Sequence, residues 1–326
     1  MSIHPAFQGH GTFCYLPDQI ARYYKHYPRG FETSGMFGRL RGLFRPASPS
    51  PSVATGFTGA LRDMGMSHAW VRLFGLEGVM PAAETKALID SLVAGGINVA
   101  GWGYCHGRDW QKEMNLAIDQ TRRFGITAFV ADIEPGRLLG GTRSRWKETE
   151  FDQFIGGLAD HFGSSNLGVS TWPVLKIQND PEYPSLRLMQ IAADRVAMFA
   201  PQAYWMKYPT TVHYNATGFR PADYPRDDPA AFVRLVIASW RATGFNQNLV
   251  VTGQAYWGEG APTQSVMESK IKSFGRGFSD WSKIVGFNWW HAGGNNLGMS
   301  PAMIANVAEG KFGAKVYARP EDVAVT

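Results

Sequence analysis

Asp132 and Glu134 stand two residues apart in FVADIEPG (129–136), an apolar run that Pro135 and Gly136 bring to a stop. On an extended strand such residues share one face, with Cα atoms roughly 6.5–7 Å apart. Two carboxylates that close repel as anions, and the pKa of one rises. The raised member can give up a proton near neutral pH while the other stays ionised. An isolated Asp-x-Glu is more often a turn cap beside a solvated side chain. Position favours chemistry here, because a strand that ends in Pro-Gly presents its last side chains at a rim.

From Val53 onward, short apolar runs of strand type alternate with amphipathic helical segments. The strand candidates are 52–57, 68–75, 97–104, 126–133, 166–172, 195–205, 248–257 and 283–290. Helices are predicted near 58–65, 82–94, 109–124, 147–162, 185–194, 228–243, 264–280 and 300–309. Asp109 and Asp228 suit N-caps, Ser300 precedes a Pro at a first helical position, and Gly95, Gly125, Gly163 and Gly244 fall where helices should stop. This alternation predicts parallel pairing through right-handed crossovers. Eight strands with eight helices predict an α/β fold, a (β/α)8 TIM-like barrel over 53–326. A doubly wound sheet is the competing architecture, but no Gly-rich phosphate turn follows a first strand. Residues 1–52 lack periodicity and read as an irregular N-terminal arm, with a short helix starting near Asp18 and a turn-rich PASPSPS at 46–52.

A barrel carries its chemistry at the C-terminal strand ends. Asp132 and Glu134 end the fourth strand and are the catalytic candidates, with Glu134 as general acid and Asp132 assisting. Two later strands end in near-identical strings, PQAYW (201–205) and GQAYW (253–257). Gln202, Tyr204, Gln254 and Tyr256 would then bring two amides and two phenols into one pocket, suited to hydroxyl or acetamido groups. In FNWWHAGG (287–294), alternation requires at least one of Trp289 and Trp290 to face the lumen as a sugar platform, while the other packs against a helix. Tyr104, Trp172 and Arg72 complete the substrate-binding candidates, and an inward Arg72 would pair with a carboxylate. His106 and His291 read as hydrogen-bonded structural residues ahead of bases.

The 326 residues are 44% hydrophobic, 13% aromatic and only 18% charged, with 11 Trp and 12 Tyr. Aromatic planes stack on sugars and bases, although most fill cores. A net charge of +5, spread along the chain, suits an anionic surface such as a cell wall. Nucleic acid is not expected as a partner, since zinc-finger spacing, an RNP-type motif and a phosphate-loop Gly-Lys-Ser/Thr are all absent from the sequence. No apolar run approaches the ~18 residues of a membrane span. Neither metal nor cofactor is expected: His-x-x-x-His, His-x-His and Gly-x-Ser-x-Gly spacings do not occur. Cys14 and Cys105 match no ligand spacing and are too few for a disulfide scaffold. The N-terminus lacks the basic start and apolar core of a secretion signal. The sequence therefore predicts cytoplasmic synthesis, with lysis or incorporation into a virion as the route outward.

TGALRDMGMSHAWVRLFGLEG (58–78) resembles the early helix and second strand of family 25 glycoside hydrolases, the phage-type and fungal muramidases. INVAGWGYCHG (97–107), AFVADIEPG (128–136) and VAMFAPQAYW (196–205) resemble later strands of that family, and the likeness covers roughly 53–292. It implies a glycosidase barrel acting on an amino-sugar polysaccharide such as peptidoglycan, with Glu134 the acid and Asp132 assisting. That family has a further Asp at the end of its first strand, and 52–57 has none. Family 18 chitinase-like barrels are similar in their Asp-x-Glu, with a Tyr after a later strand and a Trp on the last. Tyr204 and Trp289 or Trp290 match those roles, but Thr127 and Val130 stand where that pattern wants Asp. Candidates for a third acid are Glu77, Asp180, Glu182 and Glu259. A second reading is a catalytically inactive carbohydrate-binding or structural component, for example of a phage tail or baseplate, whose arm docks a protein partner. The missing first-strand acid favours that reading.

Overall fold

Eight parallel strands close on themselves in a computed structural model that describes residues 2–25, 27, 56–137, 143–180, 183–206, 211–225, 227–257, 263–292 and 299–323. They are β1 (Gly9–Cys14), β2 (His68–Gly75), β3 (Asn98–Cys105), β4 (Phe129–Ile133), β5 (Leu167–Thr171), β6 (Met198–Ala203), β7 (Asn248–Gln254) and β8 (Gly286–Trp290). β1 pairs in parallel with both β2 and β8, which makes the sheet a barrel. The helices are α1 (Pro17–Tyr23), α2 (Gly56–Asp63), α3 (Ala82–Ala94), α4 (Trp110–Phe124), α5 (Glu148–Phe162), α6 (Ser185–Ala192), α7 (Thr211–Thr217), α8 (Pro229–Ala242), α9 (Gln264–Gly277) and α10 (Pro301–Gly310). Asp109, Asp228 and Ser300 cap α4, α8 and α10 through their side chains, and Gly125 ends α4 in the left-handed region.

Seven strands lie where the apolar runs predict them, and the first does not. Gly56 and Phe57 open α2, and residues 52–55 lie outside the described residues. The first barrel strand is Gly9–Cys14, within the stretch expected to be an arm. GHGTFC carries two glycines and no aliphatic run, so strand propensity does not mark it. Its inward Gly11 has a steric reason: a Cβ there would sit 2.2 Å from the His68 ring. That ring crosses β1 to reach Asn288 Oδ1 on β8 at 2.7 Å.

Alternation divides each strand's side chains between two cores. Outward residues such as Val71, Phe129, Val169 and Phe199 join the large layer under the helices. Inward residues, among them Phe13, Trp70, Trp102, Val130 and Met198, fill the lumen. The turn Pro5–Phe7 plugs its floor, and Trp70 Nε1 donates to Ala6 O at 2.7 Å. Cys14 and Cys105 are free thiols, both buried. No helix among the described residues is long and apolar enough to cross a membrane.

Candidate active site

The floor is sealed by apolar rings, so the polar inward positions collect at the other mouth, where the C-terminal strand ends lie. β4 brings Asp132 there, and the chain leaves the strand at Glu134. β6 brings Gln202, which binds the pair together. Its Nε2 donates to Glu134 Oε1 at 2.6 Å and to Asp132 Oδ1 at 3.0 Å. Ser170 Oγ from β5 lies 3.2 Å from the same nitrogen. An amide nitrogen has two hydrogens, so the three oxygens of Asp132, Glu134 and Ser170 share them, with the shortest contact to Glu134.

Asp132 is 3% exposed. Burial raises its pKa well above the usual carboxylate range, and the charge of Glu134 adds to this. Hydrogen bonds from Ser170 and Gln202 and the charge of Arg72 oppose the rise without reversing it. Glu134 is only half-buried, so the two acids face different surroundings. Pro135 O accepts from Trp172 Nε1 at 2.7 Å, which pins the backbone beside Glu134. Tyr104 is the register partner of Asp132 on β3. Burial, then the charges of Glu134 and Asp132, push its phenol far above the usual range and keep it a hydrogen-bond donor.

The aromatic wall divides by parity. Trp290 faces the lumen against Phe13 (5.1 Å between ring centroids), Trp102 (5.4 Å) and Tyr204 (6.4 Å). Tyr204 meets Tyr256 edge to face at 5.6 Å. Trp289 is corrected as a sugar-platform candidate: it points outward, fully buried against Phe274 and Phe312, and its Nε1 donates to His10 Nε2 at 2.6 Å. Gln254 is corrected as well. Its Oε1 accepts from Met206 N at 2.9 Å and its Nε2 donates to Tyr256 O at 3.4 Å, so it ties the two strand-end loops together. The two halves of the QAYW repeat thus do different work. Arg72 faces inward and its Nη2 donates to Glu77 Oε2 at 2.9 Å.

Glu77 is therefore engaged by Arg72, while Glu182, Glu259 and the side chain of Asp180 lie outside the described residues. β1 ends in Cys14 followed by Tyr15, so the corrected first strand also ends without an acid. Tyr15, Trp102 and Ser170 belong to the mouth but were not singled out from the sequence. Tyr15 depends on locating β1. The other two needed only the lumen parity that Tyr104 and Trp172 already imply. Among the described residues, no three His, Cys, Asp or Glu side chains cluster as metal ligands would.

Neither histidine of the expectation is charged near neutral pH. Burial pushes His291 down to about 3 and lowers His106 too. His106 Nδ1 lies 3.0 Å from Glu113 Oε1, so this contact joins a neutral imidazole to a carboxyl group and is not an ion pair. Burial raises Glu113 from 4.5 to about 7. The folded chain then holds a proton that the unfolded chain has released between those values, and stability falls as pH rises through that window. Glu113→Gln, which mimics the protonated acid, should match the parent at about pH 5 and exceed it at about pH 8, by on the order of 2 kcal/mol. Denaturant midpoints at both pH values read this out, and equal midpoints at the higher pH would refute it.

No protein-family model and no curated protein matches the sequence. Similar solved structures exist. Two fungal β-1,4-galactanases were solved together, and the match to them is 11% identical, covers 77% of this chain and 90% of theirs, and has a TM-score of 0.51. A chitinase from Rhizomucor miehei is 10% identical over 76% of this chain and 95% of its own, with a TM-score of 0.49. An endo-β-1,3-glucanase from Sorangium cellulosum is 12% identical over 77% and 93%, with a TM-score of 0.47. At these identities the likeness is one of fold.

Proposed function

We propose that the protein is an O-glycoside hydrolase acting on an amino-sugar polysaccharide such as peptidoglycan. The observation that carries this reading is the acid pair, Asp132 and Glu134, held by one Gln202 amide at the aromatic mouth of the barrel. The charge of Glu134 adds to burial in disfavouring ionisation of Asp132, because two neighbouring carboxylates resist ionising together. A sugar chain lying over Trp290 and Trp172, with Tyr104, Tyr204 and Tyr256 around it, would cover Glu134 and exclude water from it. Glu134 then protonates the glycosidic oxygen as the bond to the anomeric carbon breaks, and water, directly or after the substrate's own acetamido oxygen, bonds to that carbon and returns a proton to Glu134. Asp132 is left as the anion beside Arg72, where it orients the substrate or polarises an acetamido group. The similar fold of a β-1,4-galactanase supports glycosidic-bond hydrolysis, while the amino-sugar choice rests on the residues of the mouth.

A second reading is a carbohydrate-binding or structural component without turnover, such as part of a phage tail or baseplate. The end of β1 in Cys14 and Tyr15, where an acid is wanted, favours it. Incubating the full chain with peptidoglycan and with chitin separates the two readings. New reducing ends support hydrolysis. Retention on the polymer with no soluble product after prolonged incubation supports the second reading and ends the first.

A further inference from the structure

The aromatic mouth contains a cation, Arg72, whose charge reaches Asp132 but whose direct ion pair is with Glu77. Arg72, in the C-terminal half of β2, faces inward with its side chain 5% exposed, while its partner Glu77 is 54% exposed on the turn after β2. Nη2 donates to Glu77 Oε2, and Nε and Nη1 have no hydrogen-bond partner among the described residues. The guanidinium carbon lies 4.5 Å from the Tyr15 ring centroid and 5.5 Å from that of Trp102. Tyr15 and Trp102 both meet Trp290, at 5.6 and 5.4 Å. The cation is therefore part of the wall of the same basin that holds the candidate sugar platform.

The ion pair is lopsided. An exposed carboxylate returns to water at little cost, whereas a buried guanidinium stripped of its counter-charge pays heavy desolvation. The base is fixed and the acid is exchangeable, but only for another anion. The turn is built for such an exchange. Gly75 leaves room for the pair to cross, since a Cβ there would lie 1.9 Å from Arg72 Nη2. Gly78, at φ +105, has nothing within 4 Å of where its Cβ would be, so the turn carrying Glu77 borders open space. Asp132 is not a competing counter-charge of full strength, because burial and Glu134 favour its neutral form.

Resting on the saccharide reading of this mouth, we propose that Arg72 is an anion subsite at which a carboxylate carried by the sugar replaces Glu77, so that the polymer is a carboxylate-bearing one. A uronate ring and the lactyl ether of a muramic acid present the same planar group, which a guanidinium recognises through paired N–H donors. Titration calorimetry on the full chain carrying Asp132→Asn together with Glu134→Gln, which keeps ligands intact and holds position 132 neutral, compares acidic sugars with their carboxyl-reduced forms. One arm uses a uronate–hexosamine tetrasaccharide. The other uses an N-acetylglucosaminyl–muramic acid disaccharide with a free lactyl group. In at least one arm the acidic form should bind about 20-fold more tightly, and the arm that responds names the source of the carboxylate. Arg72→Gln should bring the ratio of dissociation constants to about one, and Glu77→Gln should raise it roughly threefold by removing the competing acid.

Equal binding of acidic and reduced forms by the parent overturns the proposal and leaves the saccharide site standing. A preference that survives Arg72→Gln also overturns it, as does a preference that shrinks in Glu77→Gln. If Arg72→Gln does not fold, the exposed position 77 still decides. Absence of binding in every arm by a folded chain defeats the saccharide reading itself, a result distinct from equal binding.

Discussion

Glutamine at position 134 should leave a folded protein whose polysaccharide cleavage falls roughly 10²–10⁴-fold. The substitution keeps shape, and its side-chain oxygen can still accept from Gln202 Nε2, which contacts Glu134 Oε1 at 2.6 Å. What it removes is a transferable proton. It also removes the like charge that is the second cause of the raised Asp132 pKa, so Asp132 should ionise at lower pH in the variant. The folded state should then melt no lower than the parent, because less charge repulsion is built into the mouth. Reducing-end release and a thermal melt on the same preparation test both halves. Turnover within tenfold of the parent, in a variant that melts normally, removes Glu134 from the acid role.

The largest loss of stability is expected from Trp70→Ala. Trp70 is fully buried in the lumen, stacks edge-on with Phe13 at 4.8 Å and with Phe7 at 6.0 Å, and hydrogen-bonds to Ala6 O. Truncating such a side chain costs about 3–5 kcal/mol, from lost transfer energy and from the cavity left behind. The floor turn at Pro5–Phe7 also loses its tether. The melting temperature should drop by about 4–7 °C, with a smaller drop for Trp70→Phe, which refills most of the volume. A drop of a degree or two would mean that the lumen is not the core it resembles.

Legibility followed physical signal. Seven strands stood out because apolar runs lie between capped helices, and the helix stops at Gly95, Gly125 and Gly163 hold. β1 was hidden because the residue facing the lumen is Gly11, and what requires that glycine is a histidine 57 positions further along the chain, which no local pattern announces. The nearness of Asp132 and Glu134 at the mouth is readable from their spacing together with their place at a strand end before Pro135-Gly136. The duty of Gln202 was not, because it depends on the register that sets β6 across from β4 by way of β5. Trp289 and Trp290 posed a parity question that periodicity leaves symmetric. The pairing of Asn288 with His68 fixes the phase and sends Trp290 inward. Gln254 shows the limit of repeats: an identical string on the adjacent strand is diverted to backbone carbonyl and amide groups that local sequence does not display.

The closure of the sheet also sets the order in which the chain can be completed. Thr12 and Trp289, which pair across the seam, are separated by 277 positions. Synthesis makes β1 well before β8, so one of its two edges has no partner until β8 follows. Over that interval, β1 and the growing sheet present unpaired backbone groups of the kind that recruit other chains. A long closing contact of this type also slows folding once the chain is free. Production of this protein should therefore depend on chaperone capacity and on slow synthesis more than its well-filled core suggests.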